Sequence, residues 1–293
     1  MSFSSELKSE LCKLHAIGCC RLAECYGMLC INRSFALGAM AIVTENEDVA
    51  QKYAACVRGC FDVPTLLRQS GEKRGMYTVS VSGAVGRKKI INAFGANGLK
   101  RSVLLRECCV NAFLRGAFLS CGQISNPQKE YRLEFIVADP QMASDLSQLL
   151  ADCDLFPKAL RRGGKTVLCF KESDQIEDVL TRIGAAQYTL QLMDIKIYKD
   201  MRNKMNRINN CETANITKTV HAAVAQLNAI AALEATGELE SLPEAVQAAA
   251  ALRKANPEAS LNELCRLSPE PLSRSALNRR LEKLIAVAQA QKG

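Results

Sequence analysis

The chain has 293 residues, with 38 Lys and Arg against 30 Asp and Glu, a formal charge of +8 and 48% hydrophobic residues. That balance favours a polyanionic partner but is too mild to identify one. No apolar run approaches the roughly eighteen residues that span a bilayer, and the start MSFSSELKSEL lacks the basic, apolar and small-residue succession of a cleaved leader, so a cytoplasmic, nucleoid-associated protein away from membranes is expected.

Residues 19–35 (CCRLAECYGMLCINRSF) and 108–124 (CCVNAFLRGAFLSCGQI) align without a gap, placing Cys19 on Cys108, Cys20 on Cys109, Ala23 on Ala112 and Gly27 on Gly116. In each copy the alanine and the glycine lie four apart, which predicts a small-residue stripe on one helix face and a close approach of two backbones. Each helix leads into a strand, beginning near Ser34 in the first copy and near Gln123 in the second. The first copy continues with an alternating run to Thr44, a helix over 47–61, a short segment at 66–69, a hairpin turn at 71–75 and a strand over 76–81. The second repeats the order: a strand over 131–137, a helix over 140–153, hairpin strands 158–161 and 165–170 about Gly163-Gly164, then a helix over 174–183. The repetition predicts a pseudo-twofold α+β domain over residues 1–186, divided into repeats of about 1–85 and 86–186.

Beyond it, Ile216, Val220, Val224, Leu227, Ile230 and Leu233 follow helical spacing until Gly237, so residues 187–238 are expected to form a helical linker. Arg202, Lys204 and Arg207, interleaved with Asn203, Asn206 and Asn210, suit either phosphates or the bracing of an interdomain joint, and both readings stay open.

Residues 239–293 predict an all-α domain of three helices. Ser241 with Glu244 and Ser260 with Glu263 have capping-box spacing, and Asn256-Pro257 and Ser268-Pro269 are stop signals. The third helix, starting at Ser273, carries Leu277, Leu281, Leu284 and Ile285 on one stripe, expected to pack on Leu252, Leu261, Leu264 and Leu267. Its other face holds Arg274, Ser275, Asn278, Arg279 and Lys283, with Arg280 at the margin. Arginine pairs bidentately with guanine and asparagine with adenine, while serine and lysine hold phosphates, so this helix is the expected reader of double-stranded DNA. A protein-interaction module with a solvated basic face is the alternative. In the first domain Arg68 with Arg74, Arg87-Lys88-Lys89, Lys100-Arg101, and Arg161-Arg162 with Lys165 are candidate phosphate contacts, although for any single cluster plain solvated surface is the simpler reading.

Fourteen cysteines stand beside two histidines, with no CxxC pair. Cys19, Cys20, Cys25, Cys30, Cys56, Cys60, Cys108 and Cys109 fall within predicted helices as small apolar residues, so neither a metal site nor a disulfide framework is expected. Cys56 and Cys60, one turn apart, come nearest to a zinc pair but want two further ligands. No nucleophile elbow or phosphate-binding loop occurs, and GANG at 95–98 is turn chemistry, so no cofactor and no small-molecule substrate are expected.

The segment RGAFLSCGQISNPQKEYRLEF (115–135) resembles the LAGLIDADG homing-endonuclease motif as it survives in the WhiA family of bacterial transcription regulators, and RNKMNRINNCETANITKTV (202–220) resembles that family more specifically. The likeness covers essentially the whole chain. In active LAGLIDADG enzymes an acid near the end of each paired helix holds the divalent metals that activate water. Laying the motif's glycine on Gly27 and Gly116 puts those acids at Asn32 and Cys121, an amide and a thiol, which are poor ligands for magnesium. Glu24, Glu107 and Asp139 stand at no required place. The resemblance therefore implies a non-cutting scaffold, a C-terminal helix-turn-helix, and transcriptional control of sporulation or of cell division and chromosome segregation, with another transcription or division protein as a further partner. A non-catalytic adaptor of the division or chromosome machinery, a residual metal-dependent nuclease and an RNA binder are the rival expectations.

Overall fold

In the computed structural model, residues 2–31, 35, 40–70, 75–95 and 98–290 are described, and they form two compact units, Met1–Lys199 and Asp200–Gly293. The first unit begins with α1 (Phe3–Cys12), which the hydropathy pattern does not single out. Its first copy then runs α2 (Cys19–Cys30), β1 (Ala41–Thr44), α3 (Glu47–Phe61), β2 (Thr65–Ser70), β3 (Met76–Val81) and α4 (Ala84–Phe94). The second runs α5 (Glu107–Cys121), β4 (Gly122–Ile124), β5 (Leu133–Val137), α6 (Pro140–Ala151), β6 (Lys158–Arg162), β7 (Lys165–Phe170) and α7 (Ser173–Ile183).

Local chemistry sets these boundaries. Asn46 caps α3 by accepting from the Val49 amide (3.2 Å), and Asp62 ends it in the left-handed region. Asp139 caps α6 at the Met142 amide (2.7 Å), with Pro140 in the first turn, where a missing N–H costs nothing. All strands pair antiparallel, in the orders β1-β3-β2 and β4-β5-β7-β6. β1, β2 and β3 thus answer to β5, β6 and β7. The counterpart of β4 in the first copy, at 33–35, lies largely outside the described residues, as do Asn32, the start of the first expected strand and residues 71–74 of the expected hairpin turn. The segment at 66–69 belongs to a full edge strand, β2.

The duplication is most legible where α2 crosses α5. A Cβ on Gly27 would sit 2.1 Å from the Phe113 carbonyl oxygen, and one on Gly116 would sit 2.2 Å from the Glu24 carbonyl oxygen. Phe113 and Glu24 occupy aligned positions, so these are one contact related by the pseudo-twofold. Ala23 and Ala112, one turn earlier, are buried beside it. Only glycine lets the two backbones come this close.

α8 (Ala186–Ala235) is a single 50-residue helix that crosses the boundary between the units. Leu192 and Ile195 are buried in the first, residues 201–218 are exposed throughout, and Ala229, Ile230 and Leu233 enter the core of the second. The expected stripe is therefore partly out of register: Ile216, Val220 and Val224 are more than half exposed, while Ala223 and Gln226 are buried in their place. The segment expected as a helical linker over 187–238 is helical without a break as far as Ala235.

The second unit adds α9 (Glu244–Ala255), α10 (Leu261–Leu267) and α11 (Arg274–Ala290). The Ser260 capping box forms, with the Glu263 carboxylate accepting from the Ser260 amide at 2.7 Å. The Ser241 box does not: Ser241 Oγ donates to the Glu238 carbonyl (2.7 Å) within a short 3-10 turn, and extended Pro243 takes the cap position without a side-chain acceptor. Leu264, Leu277, Leu281 and Leu284 are fully buried, each worth about 1.5–3 kcal/mol. Leu252 and Leu261 pack at the edge of this core, whereas Leu267, expected within it, is 54% exposed.

Candidate nucleic-acid interface

The second unit presents a helix-turn-helix. Ser273 Oγ accepts from the Ala276 amide (3.2 Å) and starts α11, whose leucine stripe is anchored on α9 and α10. The opposite face is thereby turned outward. Arg274, Ser275, Arg279 and Lys283 are exposed, and Asn278 and Arg280 are half-buried. Asn278 Nδ2 donates to Glu282 Oε1 (2.7 Å) and Arg279 Nε to the Ser275 carbonyl (3.4 Å). Among the described residues no carboxylate forms an ion pair with Arg274, Arg279, Arg280 or Lys283, so the face keeps its positive charge for a partner.

Beneath it lies a residue that patterning does not reveal. Arg253, in the last turn of α9, is 1% exposed, with Nε donating to Gln226 Oε1 (2.8 Å) and a terminal nitrogen to the Ala259 (2.6 Å) and Asn256 (3.3 Å) carbonyls. It ties α8 and α9 to the turn that leads into α10. By position it looks like an ordinary cation at a helix end, and only the fold shows it enclosed.

The basic clusters of the first unit divide in two. Arg87 donates to the Val81 carbonyl (3.2 Å), Lys89 to the Phe61 carbonyl (2.6 Å), Lys100 to the Ala93 carbonyl (2.7 Å), and Arg101 pairs with Asp152 (2.7 Å). All four, expected as phosphate contacts, have hydrogen-bond or ion-pair partners within the first unit. Arg162 reaches the buried Glu134 at 3.7 Å. Arg68 on β2, Lys88 on α4, Arg161 on β6 and Lys165 on β7 are exposed, as are Arg202, Lys204 and Arg207 on α8. Arg74 lies outside the described residues. Arg68 and Arg161 fall on β2 and β6, equivalent edge strands of the two sheets.

At the carboxyl end of α5 the chemistry is that of a neutral thiol. Burial pushes the Cys121 thiol up to about 12. Burial also lowers the pKa of Lys8 on α1, partly opposed by the neighbouring Cys121, and its ammonium lies 5.8 Å from the Phe118 ring centroid. The acids weighed in the sequence have other partners. Glu24 is 1% exposed between Arg115 Nε (2.8 Å) and Lys52 Nζ (3.5 Å), Glu107 pairs with Arg182 (3.3 Å), and Asp139 caps α6.

At the opposite, amino ends of α2 and α5 the structure departs from the expectation that the cysteines are ordinary apolar positions without metal-ligating geometry. Cys19, Cys20, Cys108 and Cys109 converge, all four sulfurs lying within 4.8 Å of one another. No local spacing rule reveals this, because each half lies 89 positions from the other; the aligned CC pairs are the available signal, since a pseudo-twofold between two helices brings equivalent ends together. Cys56 and Cys60 belong to no group of three or more metal-ligating side chains among the described residues: Cys56 is buried, while the Cys60 thiol bonds to Cys25 and to the Arg21 carbonyl (3.6 Å).

Residues 205–288 match the WhiA C-terminal HTH domain and residues 110–202 the WhiA LAGLIDADG-like domain. The chain is similar to the probable cell division protein WhiA of Desulforudis audaxviator, at 36% identity over 304 residues covering 99% of this chain and 97% of the relative. It is similar to the probable cell division protein WhiA of Desulforamulus reducens at 35% identity over 310 residues, covering 99% and 96%. Among solved structures, full-length DUF199/WhiA from Thermatoga maritima shares the fold with a TM-score of 0.63 at 20% identity, covering 99% of each chain. The α+β duplicated unit followed by a helical unit agrees with that fold. Among the described residues no helix is long and apolar enough to cross a membrane.

Proposed function

The chain belongs to the WhiA family, and from that premise we propose that it is a DNA-binding regulator of cell division that recognises particular double-stranded sites through α11 and does not cut them. The observation that carries this reading is the division of α11 into a leucine stripe fixed in the core and an exposed face of unpaired cations. A helix so held can enter a major groove with Arg274, Ser275, Asn278 and Arg279 near its leading end and Lys283 toward phosphates. Asn278 would exchange its bond to Glu282 for a base edge. The same reading extends to sporulation or chromosome segregation as the regulated process and to the nucleoid as the place of action. It divides the chain into residues 1–186 as the degenerate scaffold, 187–238 as the helical connection and 239–293 as the reader.

Loss of cleavage is supported by the thiol at Cys121 and by the engagement of Glu24, Glu107 and Asp139 elsewhere. A metal-dependent strand break needs carboxylates that hold two hard cations around the scissile phosphate. Exposed Arg68 and Arg161 on the edge strands favour a supporting role for the first unit, adding affinity without sequence choice.

Selection of binding sites from random duplexes, followed by competition in fluorescence anisotropy, tests the proposal. Enrichment of one motif, affinity that falls steeply with salt, and intact supercoiled plasmid after incubation with magnesium or manganese are the results expected. Binding without enrichment or salt dependence would favour the protein adaptor, preference for structured RNA an RNA binder, and nicking of the plasmid a residual nuclease.

A further inference from the structure

The four converging thiols belong to no part of that function. Cys19 and Cys20 open α2, and Cys108 and Cys109 stand in the first turn of α5. Cys19 and Cys108 are exposed, Cys20 is half-buried and Cys109 is buried, so the quartet is walled on one side by the core and open to solvent on the other. Its size is informative. In a tetrahedral zinc centre with Zn–S bonds of about 2.3 Å, the sulfurs stand roughly 3.8 Å apart. Four sulfurs mutually within 4.8 Å need to close by no more than about an ångström to reach that geometry. The positions are preorganised, since the helices that carry them are locked together at Gly27 and Gly116.

The surroundings favour negative charge. The positive dipole ends of two helices stabilise anionic sulfur. Four thiolates crowded within 4.8 Å of one another would repel. A divalent cation removes that repulsion by displacing the thiol protons and taking the sulfurs as ligands. Four sulfur donors without a carboxylate or an imidazole select a soft or borderline ion and reject magnesium or calcium.

We propose that Cys19, Cys20, Cys108 and Cys109 form a tetrathiolate site for a structural zinc ion, which clamps the amino ends of α2 and α5 and so joins the two copies across their pseudo-twofold axis. All four ligands come from the protein, which leaves no open position for a reacting water and makes the site structural. The bound ion stabilises the folded first unit because the unfolded chain brings no such quartet together.

The test uses the full chain, purified under reducing conditions from zinc-supplemented medium, with elemental mass spectrometry and cobalt(II) substitution as readouts. One equivalent of zinc per chain, the intense visible absorption of tetrahedral cobalt with a sulfur charge-transfer band, and a melting temperature lowered by chelator are expected. The paired substitution Cys19→Ser and Cys108→Ser, at exposed positions, should abolish uptake, while Cys211→Ser should leave it intact. Alkylation of the unaltered chain gives an independent readout: zinc should protect these four cysteines relative to Cys153, and chelator should remove the protection. Failure of the chain to bind zinc or cobalt, retention of metal by the paired variant, unprotected thiols in zinc, or disulfides among the four in anaerobically isolated protein would each overturn the proposal.

Discussion

The α2–α5 pair and α11 are both helices of small or aliphatic stripes, yet they are placed oppositely. In the first unit the stripe is closed against a symmetry-related copy, both sides of the contact are glycine, and only the helix ends retain chemistry. In the second unit the leucine stripe is closed against α9 and α10, and the opposite face keeps Arg274, Arg279 and Lys283 exposed. The contrast teaches where substitutions should register: in stability for the pair, in binding for the reader.

The strongest way to break that contrast is at Glu24. Removing one member of a buried ion cluster leaves Arg115 and Lys52 uncompensated, so Glu24→Ala should cost about 3–5 kcal/mol in denaturant unfolding of the first unit. A loss near zero would show that the cluster is not what holds the copies. Gly116→Ala drives a methyl into the Glu24 carbonyl and should cost about 1–3 kcal/mol by the same measurement, with DNA affinity per folded molecule unchanged. In α11 the signs reverse: Arg279→Ala should leave unfolding unaltered while weakening binding to the selected site by about 1–3 kcal/mol, and random duplex by less. Equal losses on both would make Arg279 a phosphate contact. The smallest effect belongs between the regimes, since Ser260→Ala removes a cap from α10 and should cost about 1 kcal/mol of stability in the second unit, lowering affinity only through the folded fraction.

Much of the fold is legible in the sequence because its two periods are clean. α3, β5, α6, β7, α7 and α11 coincide closely with their patterns, and Ser260 with Glu263 caps as its spacing suggests. α4 escapes notice because GAVGRKKIINAF buries only Ile90 and Phe94, too few for a stripe. Ser241 misleads because a capping box needs the serine itself at the cap, and Pro243 holds that position. Along α8, tertiary packing selects Ala223 and Gln226 over the more apolar Val220 and Val224, so hydropathy points to the wrong face. The recognition face is legible because its residues are exposed and adjacent on one helix. Arg253 and the cysteine quartet are not, since each depends on partners brought from distant segments.

The most direct measurement compares chromatin immunoprecipitation and sequencing of the full chain with that of an Arg274→Ala, Arg279→Ala variant produced at equal abundance. If α11 reads the site, the variant loses motif-centred peaks while its first unit stays folded. Peaks that persist at the same motif would place recognition elsewhere in the molecule and contradict the account.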